Sequence, residues 1–600
     1  MKWVLTRTND EYLTYLSKKT GISKILAQIL VGRGIKEPSQ VKDFLNPSIQ
    51  LLSDPFSIPG LRRAVERIKV AIKNNERILV HGDYDADGLT GTAMMVQGLR
   101  RLGADVHFFI PSRLRDGYGF NEPGLKRAVQ LGASLIITVD CGIKSFTTAR
   151  EAQKYGIDLI ITDHHIPSFV EDKDIGAERE VHLISVPVLP LATAVVNPKL
   201  KVWGLSEHKG FNQGCPMETS ESMEGSTVHL SGAGVVFKVL QGLYGNLDSI
   251  IDLLDLVAIG TSGDIVPLIG ENRKIIKEGL EVLKNTERKG LRVLLELSGI
   301  RHGVERLSPD FLSFTLIPRL NAAGRISDNP GDAVNLLLTE EEGVAEELGL
   351  WLDRLNRQRQ AIEEEIYEEA LEVFKKKYEE IPDVIVLYKE GWHPGVIGII
   401  ASKFQEEFFR PTFIFSLKDG IATGSARSIP QVNIIKILDS LEGFLIRYGG
   451  HSQAAGLSLH EDNLKDFEDS LSKEIKKTLE GERPVPTLKI DAEVFFKDID
   501  FRLIKELRDL EPLGYGNEEP LLGAKDIHPV DSRIVGNGHL KLRLRQGPQE
   551  FDVIGFGMAD MIDLTSGPVD IAFLPQINEY NGKRTIQLKI RAIRKSEGRD

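Results

Sequence analysis

Cysteine is almost missing from this chain of 600 residues: Cys141 and Cys215 are the only two, in unlike contexts. Two such residues cannot supply a disulfide framework, and with no cysteine cluster a structural thiolate zinc site is excluded. Also lacking is an early apolar stretch of about 20 residues behind a basic start, so neither a signal peptide nor a membrane span is expected and the cytoplasm is the default. Basic residues do not predominate either. The formal net charge of −12 argues weakly against wrapping long duplexes. It leaves a nucleic-acid enzyme open, because a local basic channel can sit in an acidic exterior and carboxylates that hold metals count as negative until the metal binds. What is present, 41% apolar and 27% charged residues, is the balance of an ordinary soluble protein. At this length two to four domains are expected.

Residues 1–75 mix short helical patterns with the turn-rich LNPSIQLLSDPFSIPG and read as an N-terminal extension. From 76 to 335 short apolar runs alternate with helical ones: RILVHGD, LTGTAMMVQGLRRLG, VHFFIPSR, EPGLKRAVQLG, LIITVD, SFTTAREAQKYG, DLIITDHH. That alternation predicts an α/β domain with a parallel sheet covered on both faces, its ligands beyond the carboxyl ends of the strands. A polar, turn-forming stretch at 204–230 reads as a surface insertion. Residues 336–380 predict a long connecting helix or two joined helices, 381–485 a second α/β domain, and 486–600 a small β-barrel or sandwich.

The sequence HGDYDADGLTG puts Asp83, Asp85 and Asp87 behind an apolar strand. Three neighbouring carboxylates in low dielectric raise one another's pKa, and a divalent cation removes that conflict. A solvated acidic turn is the bland alternative for this segment alone. Asp140 in VDCG, Asp163, His164 and His165 in ITDHH, and Asp264 in DLVAIGTSGDIVPL make four sites at the ends of apolar segments read as strand ends. Mixed Asp and His suit Mn²⁺ or a related ion, and Asp85, Asp87, Asp140, His164 and Asp264 are the expected ligands. Two ions about 4 Å apart would suit phosphodiester hydrolysis without a covalent intermediate. His81 reads equally as a ligand or as a hydrogen-bonding neighbour, and Cys141 as an inert buried one.

A second cluster, GSARS and YGGHSQAAG, offers Ser425, Arg427, Ser428, Gly449, Gly450 and His451 as phosphate contacts, with tight turns as the alternative. Arg113, Arg319, Asn321 and Arg325, in PSRLRDGYG and PRLNAAGR, supply cationic and amide groups for a phosphate backbone, whereas Arg115 reads as surface. In HLKLRLR the alternating Lys541, Arg543 and Arg545 share one strand face, either solvated or suited to single-stranded nucleic acid.

HGDYDADG, VDCG, TDHH and GTSGDIVPL resemble, in order, the four motifs of the DHH phosphoesterase superfamily, and YGGH resembles its DHH-associated domain. Nearly the whole chain is similar to the bacterial branch that degrades single-stranded DNA, including EPLGYGNEEP at the entry to an oligonucleotide-binding domain. The resemblance implies a DHH parallel-sheet domain, a long connecting helix, a DHH-associated α/β domain and a C-terminal oligonucleotide-binding β-barrel. It makes Asp83, Asp85, Asp87, Asp140, His164, His165 and Asp264 catalytic, adds His81 and His393 as candidate substrate contacts, and implies Mn²⁺ or Mg²⁺, two ions in all. The implied activity is 5′ to 3′ exonuclease action on single-stranded DNA in recombination and repair, by a monomer with helicase and single-strand-binding-protein contacts. A nanoRNase or cyclic-dinucleotide phosphodiesterase would not need the last module. A noncatalytic replication factor would not need intact acidic and histidine ligands.

Overall fold

A computed structural model describes the chain except for residues 114, 172–184, 204–226, 301–306, 581 and 597–600. Cys215 and most of the expected insertion at 204–230 therefore lie outside the described residues. The contacts divide the chain into two units: Leu52–Val266 with Glu278–Val485, and Met1–Leu51 with Pro267–Lys277 and Pro486–Asp600.

The larger unit opens with a five-stranded sheet. Its strands are β1 (Ile78–Gly82), β2 (Val106–Phe109), β3 (Leu135–Val139), β4 (Asp158–Thr162) and β5 (Ala194–Val196), in the order β2-β1-β3-β4-β5, all parallel. Every residue of β1 and β3 is buried, as continuous apolar runs require when helices cover both faces. Gly82 pairs with Val139, Val139 with Thr162, and Thr162 with Val196. The strands thus end level, and the residues that follow them, Asp83, Asp140, Asp163 and Asn197, stand in one row. The strand order reverses between β1 and β3, where the crevice of an open α/β sheet takes its ligand.

Helices α1 (Ala86–Arg101), α2 (Gly232–Tyr244) and α3 (Leu254–Gly263) pack together beside the sheet. Asp264, expected at a strand end, instead caps the C-terminus of α3. A short apolar run such as LVAIG cannot be told from a buried strand by periodicity, and α3 is buried from Leu254 to Ser262. Helix α4 (Ile317–Ile326) follows, extended at its start by one π-helical turn, Leu312–Leu316. The long helix is single: α5 spans Glu342–Lys377, 36 residues. It buries Ala345, Gly349, Leu352, Asn356, Glu363, Ile366, Ala370 and Phe374, a stripe at steps of three, four or seven along one face.

Beyond it, β6 (Ile385–Glu390), α6 (Ile397–Phe408), β7 (Thr412–Lys418), β8 (Ile421–Arg427), β9 (Leu445–His451) and β10 (Ala454–His460) form the second α/β domain. The sheet order is β9-β10-β8-β7-β6, parallel only between β6 and β7.

In the smaller unit β11 (Leu522–Val535), β12 (His539–Gln546), β13 (Gln549–Gly555), β14 (Val569–Tyr580) and β15 (Lys583–Lys595) close into a barrel, with β14 pairing back onto β11. Four of these strands fall on the apolar-polar runs HLKLRLRQG, EFDVIGF, VDIAFLPQINEY and KRTIQLKI, which read as strands from sequence. β11 does not show in the sequence because its register shifts between Pro529 and Asp531, which breaks the alternation. The expected extension also divides. Lys2–Leu5 pairs in parallel with Thr487–Ile490, and Leu16, Leu26 and Ile29 share a core with Leu540, Val553 and Phe573. The helix Leu61–Lys73 belongs to the other unit, where Leu61 and Val65 pack against Gly242 of α2.

Candidate metal centre

The row of strand ends builds the site. Asp85 caps α1, its Oδ1 accepting the amides of Asp87 and Gly88 at 3.1 Å, which turns the chain sharply enough to bring Asp83, Asp85 and Asp87 together. Gly88 permits this turn, since a Cβ there would lie 2.6 Å from the Asp83 carbonyl oxygen. Asp140 takes a left-handed φ of 60°, a strained conformation of the kind that collects at functional sites. Gly232 lets the start of α2 approach it, as a Cβ would meet the Asp140 side chain at 2.5 Å. The amides of Gly232 and Ala233 donate to Asp87 at 2.6 and 2.9 Å.

Three sets of ligand atoms converge, each set within 4.8 Å: Asp83, Asp85 and Asp140; Asp87, His164 and Asp264; Asp140, His164 and His165. His164 Nε2 lies 3.1 Å from Asp140 Oδ1 and 3.3 Å from Asp264 Oδ2. Yet these three buried atoms, and Asp83 Oδ1, make no hydrogen bond. They approach one another without the alignment of donor to acceptor, which is the geometry of ligands aimed at a shared ion, and a buried polar atom otherwise has a partner. The residues therefore fit a hard or borderline divalent cation.

Burial, then the charge of Asp85, pushes Asp87 up to about 7 and Asp83 well above the usual carboxylate range. Burial, then neighbouring aspartates, raises Asp140 and Asp264 likewise. Burial lowers His164. Asp163 differs. Its Oδ1 accepts the amides of His164 and His165 and lies 2.8 Å from His165 Nδ1, while Oδ2 accepts the Ile143 amide. Asp163 thus orients the two histidines, and unlike Asp87 it belongs to none of the converging ligand sets. Burial would lower His165, but Asp163 outweighs it and lifts the imidazole to about 9.

A pH dependence follows. Asp87 has its pKa raised from the ordinary 3.8 to about 7 without metal, so the folded chain holds a proton that the unfolded chain has lost over that interval. This contribution to stability is present below about 4 and is lost as pH rises through about 7. Titrating the metal-free protein with Mn²⁺ in calorimetry is expected to show tighter binding and fewer protons released as pH goes from 6 to 8. Affinity independent of pH would count against these carboxylates as ligands.

Around the cluster stand groups of opposite charge. Burial, then Arg113, Arg359 and Arg427, lowers Arg325 to about 10, and burial, then Arg113, lowers Arg427. Arg113, Arg325 and Arg427 are in ion-pair contact with no carboxylate among the described residues. Arg113 lies over the Tyr84 ring at 5.4 Å, Arg325 donates to the Gly395 carbonyl, and Arg427 donates to Ser402, to Ser425 and to the Ala426 carbonyl. His451, at the end of β9, stacks on His165 with ring centres 6.1 Å apart.

Other expected contacts are placed differently. Arg319 spends its donors on Asp353, the Thr315 carbonyl and the Leu297 carbonyl, tying α4 to α5. Asn321 accepts the Ala86 amide, and Ser428 donates to the Val432 carbonyl. His81 is wholly buried between Phe109 and Phe120, and burial lowers it to about 4. His393 accepts the Gly395 amide beside the Arg325 contact. Gly449 and Gly450 lie in β9, paired with Gly456 and Ala455. In the smaller unit Arg543 and Arg545 face Asp552 and Glu550 across β13 at 3.8 and 3.9 Å, and Lys541 pairs with Ile554.

Two residues at the cluster had not been singled out. The Tyr118 hydroxyl lies 3.3 Å from His165 Nδ1. Lys199 is lowered by burial against the pull of Asp264, Asp163 and Asp140. The Asn-Pro-Lys after an apolar run was the only signal for Lys199, and the glycines flanking Tyr118 the only one for that residue.

Three family models match, described as the DHH family N-terminal domain over residues 77–261, the DHHA1 domain over 382–477 and the RecJ OB domain over 490–592. The single-stranded-DNA-specific exonuclease RecJ of Bacillus subtilis is 35% identical, across 100% of this chain and 71% of its own length. The chain belongs to the RecJ family. Among solved structures, RecJ of Thermus thermophilus in complex with Mn²⁺ has a TM-score of 0.79 at 30% identity, across 100% of this chain and 80% of that one. The same enzyme with Mg²⁺ has a TM-score of 0.75 at 29% identity. These solved relatives thus carry Mn²⁺ in one structure and Mg²⁺ in the other, divalent cations of the class that the donor set here suits. No helix among the described residues is long and apolar enough to cross a membrane.

Proposed function

We propose that this RecJ-family chain is a metal-dependent exonuclease that hydrolyses single-stranded DNA from its 5′ end to 5′-mononucleotides. One observation carries the reading: the convergent, hydrogen-bond-free ligand atoms of Asp140, His164 and Asp264 lie in the same unit as Arg113, Arg325 and Arg427, which make no ion-pair contact with a carboxylate among the described residues. Asp85, Asp87, Asp140, His164 and Asp264 would hold Mn²⁺ or Mg²⁺, with Asp83 and His165 beside them. A bound ion there supplies Lewis acidity and an activated water.

The chain's own groups do the rest. Asp163 fixes the two histidines. His165, held charged up to about pH 9, and Lys199 face the developing phosphate charge. Arg427, Ser425, Arg325 and Arg113 form the terminal-phosphate anchor, bidentate where a guanidinium has two free donors. The amino end of α6 adds its dipole, Gly398 lying so close that a Cβ would meet Ser425 Oγ at 3.0 Å. Lys541, Arg543 and Arg545 serve as an accessory strand-binding face of the barrel.

The test uses single-stranded DNA labelled at either end, and a circular strand. Release of labelled mononucleotide from the 5′ end, with the circle intact, is expected. Arg427→Ala should reduce hydrolysis of the 5′-phosphorylated strand by about 10- to 100-fold, the worth of one or two charge-assisted hydrogen bonds. Digestion of the circle at the linear rate, by protein free of other nucleases, would overturn the exonuclease reading.

A further inference from the structure

Helix α4 and the π-helical turn before it carry an aromatic residue that the site as described does not use. Phe314 is 82% exposed, unusual for a phenylalanine, and sits in the five-residue π-helical turn Leu312–Leu316, a helix form often found at functional sites. It lies eleven residues before Arg325, close to three helical turns or about 16 Å along the axis, so both project from the same side. Pro318 and Asn321, between them at steps of four and three, share that side and are partly exposed, whereas Leu316, Ile317, Leu320, Ala323 and Gly324 are buried.

The two ends of this face border the two ends of the ligand cluster. At one end Gly324 packs on Tyr84, where a Cβ would lie 2.4 Å from its carbonyl oxygen, and Asn321 accepts the Ala86 amide. At the other, Ser313 Oγ donates to the Ser262 carbonyl at 3.5 Å, and Gly263 lies so close to Ile317 that a Cβ would be 3.6 Å from it. Ser262 and Gly263 immediately precede the ligand Asp264. Ile265, just after it, is 71% exposed and held at a φ of 54°, a left-handed conformation that a β-branched residue rarely adopts. A strained, exposed isoleucine and an exposed phenylalanine therefore flank the Asp264 edge of the cluster, opposite the Arg325 edge.

We propose that Phe314 is a stacking platform for a base of the substrate strand on the 3′ side of the scissile phosphate. The occupant is a nucleobase because the exposed ring lies on the helix face that ends at the phosphate-facing Arg325. A flat ring offered without hydrogen-bonding groups suits an enzyme that must accept all four bases in turn. This inference rests on the single-strand reading above and adds a contact to it.

The experiment places one abasic residue at successive positions from the 5′ end of a 5′-phosphorylated oligothymidylate. Binding to the full chain is measured by fluorescence anisotropy in chelator, and KM with Mn²⁺. In the unaltered protein an abasic residue at the platform position should weaken binding by roughly five- to hundredfold, the value of one base–aromatic stack. Phe314→Ala should weaken binding of the intact oligomer comparably and abolish the abasic penalty at that position alone, while Phe314→Trp retains it. Because the side chain is exposed, the melting temperature should not move. Identical abasic profiles for the unaltered protein and Phe314→Ala would overturn the proposal, as would a Phe314→Ala effect equal at every position. If the strand is bound with this profile but never hydrolysed, the platform stands and the exonuclease reading falls.

Discussion

Asp140→Ala or His164→Ala is expected to reduce hydrolysis of single-stranded DNA to background. Asp140 Oδ1 and Asp264 Oδ2 lie 3.1 and 3.3 Å from His164 Nε2, and none of the three atoms makes a hydrogen bond, so removing one leaves the others without a shared cation. The loss is that of several kcal/mol of transition-state charge stabilisation, on the order of a thousandfold or more in rate. Strand binding through the arginines should survive, because Arg113, Arg325 and Arg427 make their contacts elsewhere. The check is to measure turnover and binding in parallel, with Mn²⁺ content determined for each variant. Near-normal turnover would remove these residues from the metal centre. Asp140→Asn should likewise abolish turnover and has a second expected effect: it keeps a side chain that tolerates the left-handed φ of 60° while removing a carboxylate whose pKa burial raises, so the metal-free variant should melt no lower than the unaltered protein, and relief of the carboxylate crowding should appear as gained stability.

The second large effect concerns stability and a residue far from any motif. Arg273, in the segment Pro267–Lys277 of the smaller unit, is almost wholly buried. Its guanidinium donates to the carbonyls of Phe44, Asp509, Leu510, Glu511 and Pro512 and lies over the Phe44 ring at 4.0 Å. Burial, then the nearby charge of Arg33, lowers it to about 9. Leu510 and Pro512 also accept the Asn517 side-chain amide, whereas the carbonyls of Phe44, Asp509 and Glu511, from two distant stretches of sequence, have Arg273 as their side-chain donor. Arg273→Met keeps much of the volume but leaves those carbonyls unsatisfied, at about 1–3 kcal/mol for each that water cannot reach. A loss of at least about 3 kcal/mol is expected, seen as an earlier calorimetric transition and early proteolysis between residues 509 and 512. An unchanged transition would show that water replaces the guanidinium. For the same reason a chain cut near residue 488 would leave Leu16, Leu26 and Ile29 without their barrel partners. Substitutions on the barrel face are therefore the better test of strand binding there.

The sequence alone indicated the alternation of strands and helices, the helical stretch at 336–380, four of the C-terminal strands and the candidate metal ligands, while the structure decided that the stretch holds one continuous helix. Each of the sequence readings rests on local physics. Period and burial mark an element within some ten residues, and repeated Asp and His at the ends of apolar runs mark a cation site because uncompensated carboxylates cannot cluster there. What needed the tertiary structure was every choice between chemically equal side chains. Arg319 and Arg325 lie six positions apart in one motif, yet Arg319 is consumed by Asp353 and two carbonyls while Arg325 joins a cluster of guanidiniums. Asp163 and Asp140 both follow apolar strands, yet only Asp163 has its oxygens filled by amides and His165. Lys199 and Phe314 gave almost no signal, and residues 1–51 find their partners in residues 267–277 and 486–600, far along the chain. Residue type fixes what a group is able to bind, but the groups around it in space decide which of its donors and acceptors are left for a ligand, and no local pattern carries that information.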